Sequence, residues 1–318
     1  MSAIATLLVI VLPVFLLVGV GYSAVRTGVF PERAVDGLIR FATHIAVPAL
    51  LFRALYGLDL ASAMRPALLV SFYVAAAICF ASAILLARLV WRRRPGEAVA
   101  LAFSALFSNS VLLGVPISTR AWGEAGMEPV FAVIAIHAPF CYLLGIVTME
   151  LARRDGGGIG PALGRSAAAM LRNALTVGIV LGAVFNLAGV VLPGPLLAVV
   201  DMLAGAALPV ALFGLGGVLT RYALKAQIGE ATMIAALSLI VHPGLAWLLA
   251  TQVFALPEGF VRAAVLIAAM PPGVNGYVFA ALYGRSEGTA ASAVLLATAL
   301  SVFSITLWLW ILGGAALG

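Results

Sequence analysis

Long apolar stretches alternate with short polar ones along the whole chain. A helix of about 20 apolar residues is long enough to cross a bilayer. By that measure the pattern predicts ten membrane spans, at residues 4–25, 34–56, 67–90, 98–119, 128–150, 173–192, 195–219, 231–255, 261–283 and 289–314. Because no long polar segment interrupts the series, we predict an all-α integral membrane protein with ten transmembrane helices.

Spans four and nine contain residues that interrupt a helix. Span four carries Gly114 and Pro116, and span nine carries Pro271, Pro272 and Gly273. Proline lacks the backbone N–H and its ring clashes with the carbonyl one turn back, so we expect each span to divide into two half-helices joined by a short extended linker. Hydrocarbon offers such a linker no hydrogen-bond partner, so it must face protein or a water-filled cavity.

Each interrupted span also contains an asparagine, Asn109 in span four and Asn275 in span nine. The N-terminus of a half-helix concentrates unpaired N–H groups and a positive partial charge, which favour an anionic group such as a carboxylate. An asparagine amide suits either contact with a substrate or repair of the broken backbone. We therefore predict a transporter-type binding site where the two spans meet. The alternative is a pair of ordinary proline kinks.

The two halves of the sequence resemble each other. Moving the chain by 161 residues aligns Gly21 with Gly182, Gly28 with Gly189, Pro48 with Pro209 and Phe52 with Phe213. Each half contains five spans, and an odd number of spans places the two copies in opposite orientations. The sequence therefore predicts an inverted repeat, with one copy at residues 1–152, a cytoplasmic linker at 153–168 and a second copy at 169–318.

Composition and charge support a membrane protein and give its orientation. Hydrophobic residues make up 64% of the chain, charged residues 9%, and the mean hydropathy is +1.17, whereas a soluble domain carries about 25% charged residues. Most of the 18 basic residues lie in the odd-numbered loops, so the net charge of +6 indicates topology rather than nucleic-acid binding. The positive-inside rule then places both termini outside the cytoplasm.

Few other polar residues lie within the spans. His137, in the middle of span five, would bind an anion or relay a proton; the alternative is a neutral imidazole bonded to a neighbouring helix. Tyr142 follows it on the same span. For His242, in span eight, a kink with a locally satisfied imidazole is the preferred interpretation. Arg40, near the cytoplasmic end of span two, and Ser110 remain weaker candidates for the substrate site.

The sequence offers no pattern typical of an enzyme or a metal site. A membrane-embedded enzyme needs a metal cluster, a paired acid and base, or an activated nucleophile. The three histidines lie on three distant spans, and no acidic pair lies at mid-span. We therefore expect no catalytic activity, no metal and no cofactor.

The ordered set of motifs resembles that of the auxin efflux carriers, which include the plant PIN-type exporters and bacterial homologues. The resemblance covers nearly the whole chain. It rests on residues 47–52 (VPALLF), 109–116 (NSVLLGVP), 172–173 (RN), 207–216 (ALPVALFGLG), 241–243 (VHP), 270–280 (MPPGVNGYVFA) and 283–284 (YG).

This resemblance implies the fold of the bile-acid-type sodium symporters. Spans one, two, six and seven would form a scaffold, through which a homodimer is possible, and spans three to five and eight to ten would form a transport domain that moves like an elevator. Asn109 matches the family's crossover asparagine. Asn275 lies where plant members often carry another residue, and His137 lies where they often carry glutamine. Family members carry organic anions, from indole acetic acid to malonate or malate.

Together these observations predict a secondary transporter of small organic anions in an inner membrane, with the lipid bilayer as its surroundings and Asn109, Asn275, His137 and Tyr142 lining the site. A sodium- or proton-coupled symporter of the same architecture stays open, as does a membrane sensor that binds ligand without transporting it.

Overall fold

The described secondary structure is helical. The computed structural model describes residues 3–153, 164, 173–223 and 227–313, and these ranges contain no β-strand, only one isolated bridge. The α-helices are α1 (Ala3–Arg26), α2 (Glu32–Phe41), α3 (Val47–Tyr56), α4 (Leu60–Ala63), α5 (Pro66–Leu89), α6 (Pro95–Leu106), α7 (Val115–Trp122), α8 (Glu128–Arg153), α9 (Ala174–Leu187), α10 (Gly194–Leu219), α11 (Ile228–Ala236), α12 (His242–Leu248), α13 (Glu258–Ala268), α14 (Val274–Leu282) and α15 (Glu287–Ile311). Apart from residues 153 and 164, the predicted linker at 153–168 lies outside the described residues.

Helices lie over each of the ten predicted spans, and seven of the described helical stretches are long and apolar enough to cross a membrane. These stretches are Ala5–Arg26, Glu32–Tyr56, Pro66–Leu89, Glu128–Ala152, Gly194–Leu219, Ile228–Val253 and Glu287–Ile311. The interrupted spans four and nine and the 14-residue α9 fall short of that length. The chain is therefore a multi-pass membrane protein, and the count of ten spans stays a prediction.

Three helical spans accommodate an internal proline in the same way. Each proline is the second residue of an α-helix that directly follows a five-residue π-helical turn. The pairs are Ala42–Ala46 before Pro48, Ser110–Gly114 before Pro116, and Leu237–Val241 before Pro243. A π-turn carries one extra residue, so it gives the proline ring space where an α-helical turn would place a carbonyl. These spans therefore stay helical through their prolines.

The chain divides into two compact units. The larger unit contains Met1–Val11, Arg65–Ala167 and Tyr222–Gly318, and the smaller unit contains Leu12–Met64 and Ala168–Arg221. In the larger unit α6 lies at the centre of the core, and every residue from Ala98 to Ser110 is buried. The unwound end of α6 is therefore sheltered by protein.

In the smaller unit two helix pairs approach so closely that only glycine fits between them. A Cβ on Gly21 of α1 would lie 2.0 Å from the carbonyl oxygen of Phe213 on α10, and a Cβ on Gly182 of α9 would lie 2.5 Å from that of Phe52 on α3. Small residues allow such close approach between membrane helices, where van der Waals packing drives association. Both glycines are therefore required by packing.

These two contacts are related by the same 161-residue shift that aligns the halves of the sequence. Gly21 corresponds to Gly182 and Phe213 to Phe52, so each half supplies one glycine and one carbonyl. Two further glycine pairs at this spacing have positive φ and end corresponding helices. They are Gly28 and Gly189, and Gly123 and Gly284. Residues 161 positions apart therefore share backbone conformation as well as residue type.

One charged pair joins the loop after α5 to the start of α11 in the larger unit. Arg93 donates from Nε and Nη2 to the two carboxylate oxygens of Glu230, at 2.6 and 3.0 Å. Glu230 is fully buried, and hydrogen bonding to its carboxylate raises the pKa of Arg93. The two-pronged pairing compensates for the burial of the carboxylate.

A second arginine of the larger unit, Arg120, donates hydrogen bonds to two backbone carbonyls of α1. Pro13 of α1 has no N–H, so the carbonyl of Val9, four residues earlier, lacks its usual helical donor. Arg120 of α7 donates to Val9 O from Nη2 and to Ile10 O from Nε, both at 2.9 Å. This contact holds the beginning of α1 against the end of α7.

We expect Gly21→Ala and Gly182→Ala to destabilise the protein, because the new methyl group meets a backbone carbonyl that cannot rotate away. The expected loss is about 1–3 kcal/mol each, a fall of roughly 2–10 °C in melting temperature, measured in detergent by fluorescence-detected size exclusion. Gly19→Ala is the matched control, because a Cβ there meets nothing within 4 Å. Equal melting of the Gly19 and Gly21 variants would contradict this packing argument.

Candidate functional site

The two broken segments cross and bond to each other. Between α6 and the π-turn that begins at Ser110, residues 107–109 leave the helix, and between α13 and α14 the chain is extended at Pro272 and Gly273. Ser108 and Pro272 form an antiparallel bridge. The Asn109 N–H donates to Pro271 O at 2.8 Å, and the Gly273 N–H donates to Phe107 O at 2.9 Å.

These two hydrogen bonds explain how unwound backbone persists in a membrane protein. Pro271 and Pro272 have no N–H to satisfy, so the second segment needs partners for its carbonyls and for Gly273 only. The first segment supplies one donor and one acceptor at the matching positions. Each break therefore gives the other one donor and one acceptor, which unwound backbone at this depth needs.

The break in span four lies earlier than the glycine and proline predict. The chain unwinds at residues 107–109, whereas Gly114 and Pro116 lie in the helical stretch after it. The physical reason is the π-turn, which accommodates Pro116 without a break and in which Gly114 N–H donates to Asn109 O at 3.2 Å. Gly114 instead allows Ile267 to pack closely against the π-turn, since a Cβ on Gly114 would lie 2.7 Å from Cδ1 of Ile267.

Both asparagines lie at the start of a half-helix beside the crossing. Asn109 is the N-cap residue of the π-turn and is 8% exposed, and Asn275 is the second residue of α14 and is partly buried. A Cβ on Gly273 would lie 3.8 Å from the Cβ of Asn109. Within the described ranges neither side-chain amide makes a hydrogen bond, so both have donors and acceptors for a ligand.

The histidine of span five contacts the crossing directly. His137 on α8 is 2% exposed, and its Nε2 lies 3.3 Å from Oγ of Ser108. The ring of Phe107 meets the rings of His137 and Tyr142 at centroid distances of 5.0 and 5.6 Å. The structure thus brings His137, Tyr142 and the first broken segment together.

The weaker candidates have separate locations. Ser110 is buried at the crossing, and its N–H donates to Ser108 O. His242 on α12 is 1% exposed, and in the described part of the chain its Nε2 has no hydrogen-bond partner. The locally satisfied imidazole that the sequence favours stays a prediction, because the ring hydrogen-bonds to the backbone of Phe72 although its Nε2 has no partner among the described residues. Arg40 is an exposed residue near the end of α2 in the smaller unit.

Sequence reasoning assigned no site role to three residues that the structure places here. Ser108 links His137 to the crossing, and Phe72 of α5 lies against the rings of both His137 and His242. Ser104 on α6 packs against Gly276 on α14, and its buried hydroxyl has no partner in the described ranges. Ser108 adjoins Asn109 in the sequence, which is a usable signal, but Phe72 and Ser104 carry none.

The groups at the crossing are polar but carry no fixed charge. Two half-helices begin at the crossing, and each offers N–H groups and a positive dipole end. Amide, hydroxyl and imidazole groups line it. Within residues 3–153, 173–223 and 227–313, no group of three or more histidine, cysteine or acidic residues is arranged to hold a metal ion.

Comparison with known proteins indicates a transporter. The model of a family described as "Membrane transport protein" matches residues 6–157 and 164–309. A protein of Rhizobium meliloti described as "Putative malonate transporter" is 27% identical over 97% of this chain and 96% of its own. An uncharacterized transporter of Methanothermobacter thermautotrophicus is 27% identical over 94% of this chain and 96% of its own, and one of Methanocaldococcus jannaschii is 25% identical over 95% and 98%.

Gly273→Pro tests the crossing itself. The φ of Gly273 is −76°, which proline adopts, but proline removes the N–H that bonds to Phe107 O and places its ring against that oxygen. We expect Gly273→Pro to lower the melting temperature and to abolish ligand binding. Gly273→Ala is the matched control, because its Cβ meets only ordinary contacts, the nearest at 3.6 Å. If both variants behave like the unsubstituted protein, the hydrogen bond does not maintain the crossing.

Proposed function

This chain belongs to the membrane transport protein family, that of the auxin efflux carriers, and on this premise we propose that it is a secondary transporter of small organic anions. The observation that carries the proposal is the crossing of two broken segments, beside which lie two asparagine amides that make no hydrogen bond to any described residue. Such crossings at the start of half-helices are the binding sites of secondary transporters.

The substrate's carboxylate would bind at the helix starts beside the crossing. The side-chain amides of Asn109 and Asn275 would donate to its oxygens, and the dipole ends of the two half-helices would stabilise its charge. His137 and Tyr142 would lie beside the bound acid, since both contact the first broken segment. With no fixed cation required, the site would release its ligand readily, as a carrier must.

A small carboxylic acid is the substrate class that best fits these groups. The Rhizobium relative described as "Putative malonate transporter" is 27% identical to this chain over nearly the full length of both. Malonate has two carboxylates, and the crossing offers two half-helix starts. Indole acetate is the auxin-like alternative, for which the rings of Phe107 and Tyr142 would supply an apolar contact.

The architecture we propose is a pair of inverted five-helix repeats, residues 1–152 and 169–318, spanning the membrane ten times. Support comes from the reciprocal close contacts of Gly21 and Gly182 and from glycines of positive φ, all related by 161 residues. An inverted arrangement is a common basis for alternating access, because exchange of conformation between the two copies opens the site to the other side.

We further propose that transport occurs by an elevator-like movement of spans three to five and eight to ten against a scaffold of spans one, two, six and seven. The division into compact units supports this proposal, since the larger unit contains both broken segments and the smaller one contains α2, α3, α9 and α10. The positive-inside distribution supports a location in the inner membrane with both termini outside the cytoplasm. The scaffold would also supply the surface for a homodimer.

Asn109→Ala is the test of this proposal. We expect the variant to lose about 10- to 100-fold in affinity for the transported acid, the equivalent of one or two hydrogen bonds to a charged group, with little change in melting temperature. Uptake of labelled acid into proteoliposomes and currents on solid-supported membranes would be measured with malonate, malate, acetate and indole acetate. Gln252→Ala, which removes an exposed amide from the larger unit, is the control.

Transport by Asn109→Ala at the rate of the unsubstituted protein would overturn the crossover site. If the unsubstituted protein binds an acid saturably but shows neither net uptake nor exchange of labelled acid, the sensor function is favoured instead.

A further inference from the structure

Two buried imidazoles flank one aromatic ring in the larger unit. Phe72 on α5 contacts His137 on α8 at a centroid distance of 5.6 Å and His242 on α12 at 4.9 Å, both edge-on. The two histidines are 2% and 1% exposed. His137 reaches the crossing through Ser108, and Nε2 of His242 has no hydrogen-bond partner in the described part of the chain.

The groups around this pair are uncharged. From the surrounding helices the titratable side chains are Tyr73, whose hydroxyl donates to Val133 O, and Cys79, Cys141 and Tyr142. Most charged residues of the same helices lie in their end turns, namely Arg88 on α5, Glu97 on α6, Glu128, Glu150 and Arg153 on α8, and Glu258 on α13. Arg262, one turn further along α13, is paired with Glu258. No described carboxylate contacts either imidazole, so nothing in the described part of the protein balances a charge on them.

A buried imidazolium without a counter-charge is costly, and two neighbouring ones are costlier. Both rings are therefore neutral while the site is empty. An anion bound at the crossing changes this balance, because a carboxylate near Ser108 lies one side chain away from His137. The bound anion supplies the missing counter-charge, and one proton from bulk water then becomes stable on the pair.

We propose that His137 and His242 form a proton-binding site that fills when the organic anion binds, so that each anion is carried together with one proton. The proposal rests on the proposed function and adds the coupling ion to it. The proton forms an N–H bond on a ring nitrogen and is released when the anion leaves, so charge balances at each step. Once one histidine is protonated, its positive charge repels a second proton, so the pair binds only one proton.

Linkage gives the sign of the pH dependence. Because anion binding takes up a proton, lower pH strengthens anion binding, by up to about tenfold per pH unit. Proton uptake also fixes the net charge moved per cycle. A monocarboxylate with one proton is electroneutral, whereas a dicarboxylate such as malonate carries one net negative charge.

The experiment is isothermal titration of the purified full-length protein with malonate at pH 7 to 8. Each titration is run in two buffers of different ionisation enthalpy, so that their difference counts protons taken up per malonate bound. We expect between about 0.5 and 1 proton for the unsubstituted protein and none for His137→Gln/His242→Gln. His44→Gln is the matched control, because His44 is the third histidine of the chain and is exposed; it should keep the full uptake.

Malonate binding by the unsubstituted protein without proton uptake would overturn the inference and leave the proposed function intact. So would uptake that is unchanged in the double variant, since the proton would then come to another group or to malonate itself. If the double variant binds malonate too weakly to titrate, the single variant His242→Gln is compared instead, and it is expected to take up fewer protons per malonate bound than the unsubstituted protein. No binding of malonate, malate, acetate or indole acetate would overturn the proposed function, and this inference with it.

Discussion

Every backbone group at membrane depth needs a hydrogen-bond partner, and the architecture of this protein depends on how its breaks meet that need. The unwound residues of span four and span nine bond to each other through Asn109 N–H and Pro271 O and through Gly273 N–H and Phe107 O. The carbonyl that Pro13 leaves without a donor receives one from Arg120. Because the two broken segments bond to each other, they must stay together, and the crossing they form contains residues from both halves of the chain.

A site held by backbone pairing needs no charged residue to organise it. The described surroundings of the crossing contain amides, hydroxyls, aromatic rings and two imidazoles, and the dipole ends of half-helices supply the positive potential. This composition is the basis on which we propose binding of an organic anion that must also leave. The proposed proton site depends on the same composition, since no described carboxylate contacts either imidazole to balance a charge on it.

The sequence alone predicted the helical membrane class, the approximate spans and the family; the family match and the helices confirm the class and the family. It placed the span-four interruption at Gly114 and Pro116, where the residue types indicate a break. The π-turn at Ser110–Gly114 accommodates that proline, and the break lies at residues 107–109 instead. Local residue type cannot distinguish these outcomes, because the partner that stabilises the unwound residues is more than 160 residues away in the chain.

Solvation and short-range sterics account for the features that could be predicted from residue types. Long apolar segments are stable only in a membrane, and proline and glycine favour an interruption of the helix nearby. Tertiary packing decided where the interruption falls, which carbonyl each free N–H meets, and that Ser108 connects His137 to the crossing. It also decided that Phe72 brings two histidines of distant spans together. The physical reason is that hydrogen bonds and ring contacts act over a few ångströms between residues far apart in the chain, so only the folded arrangement selects them.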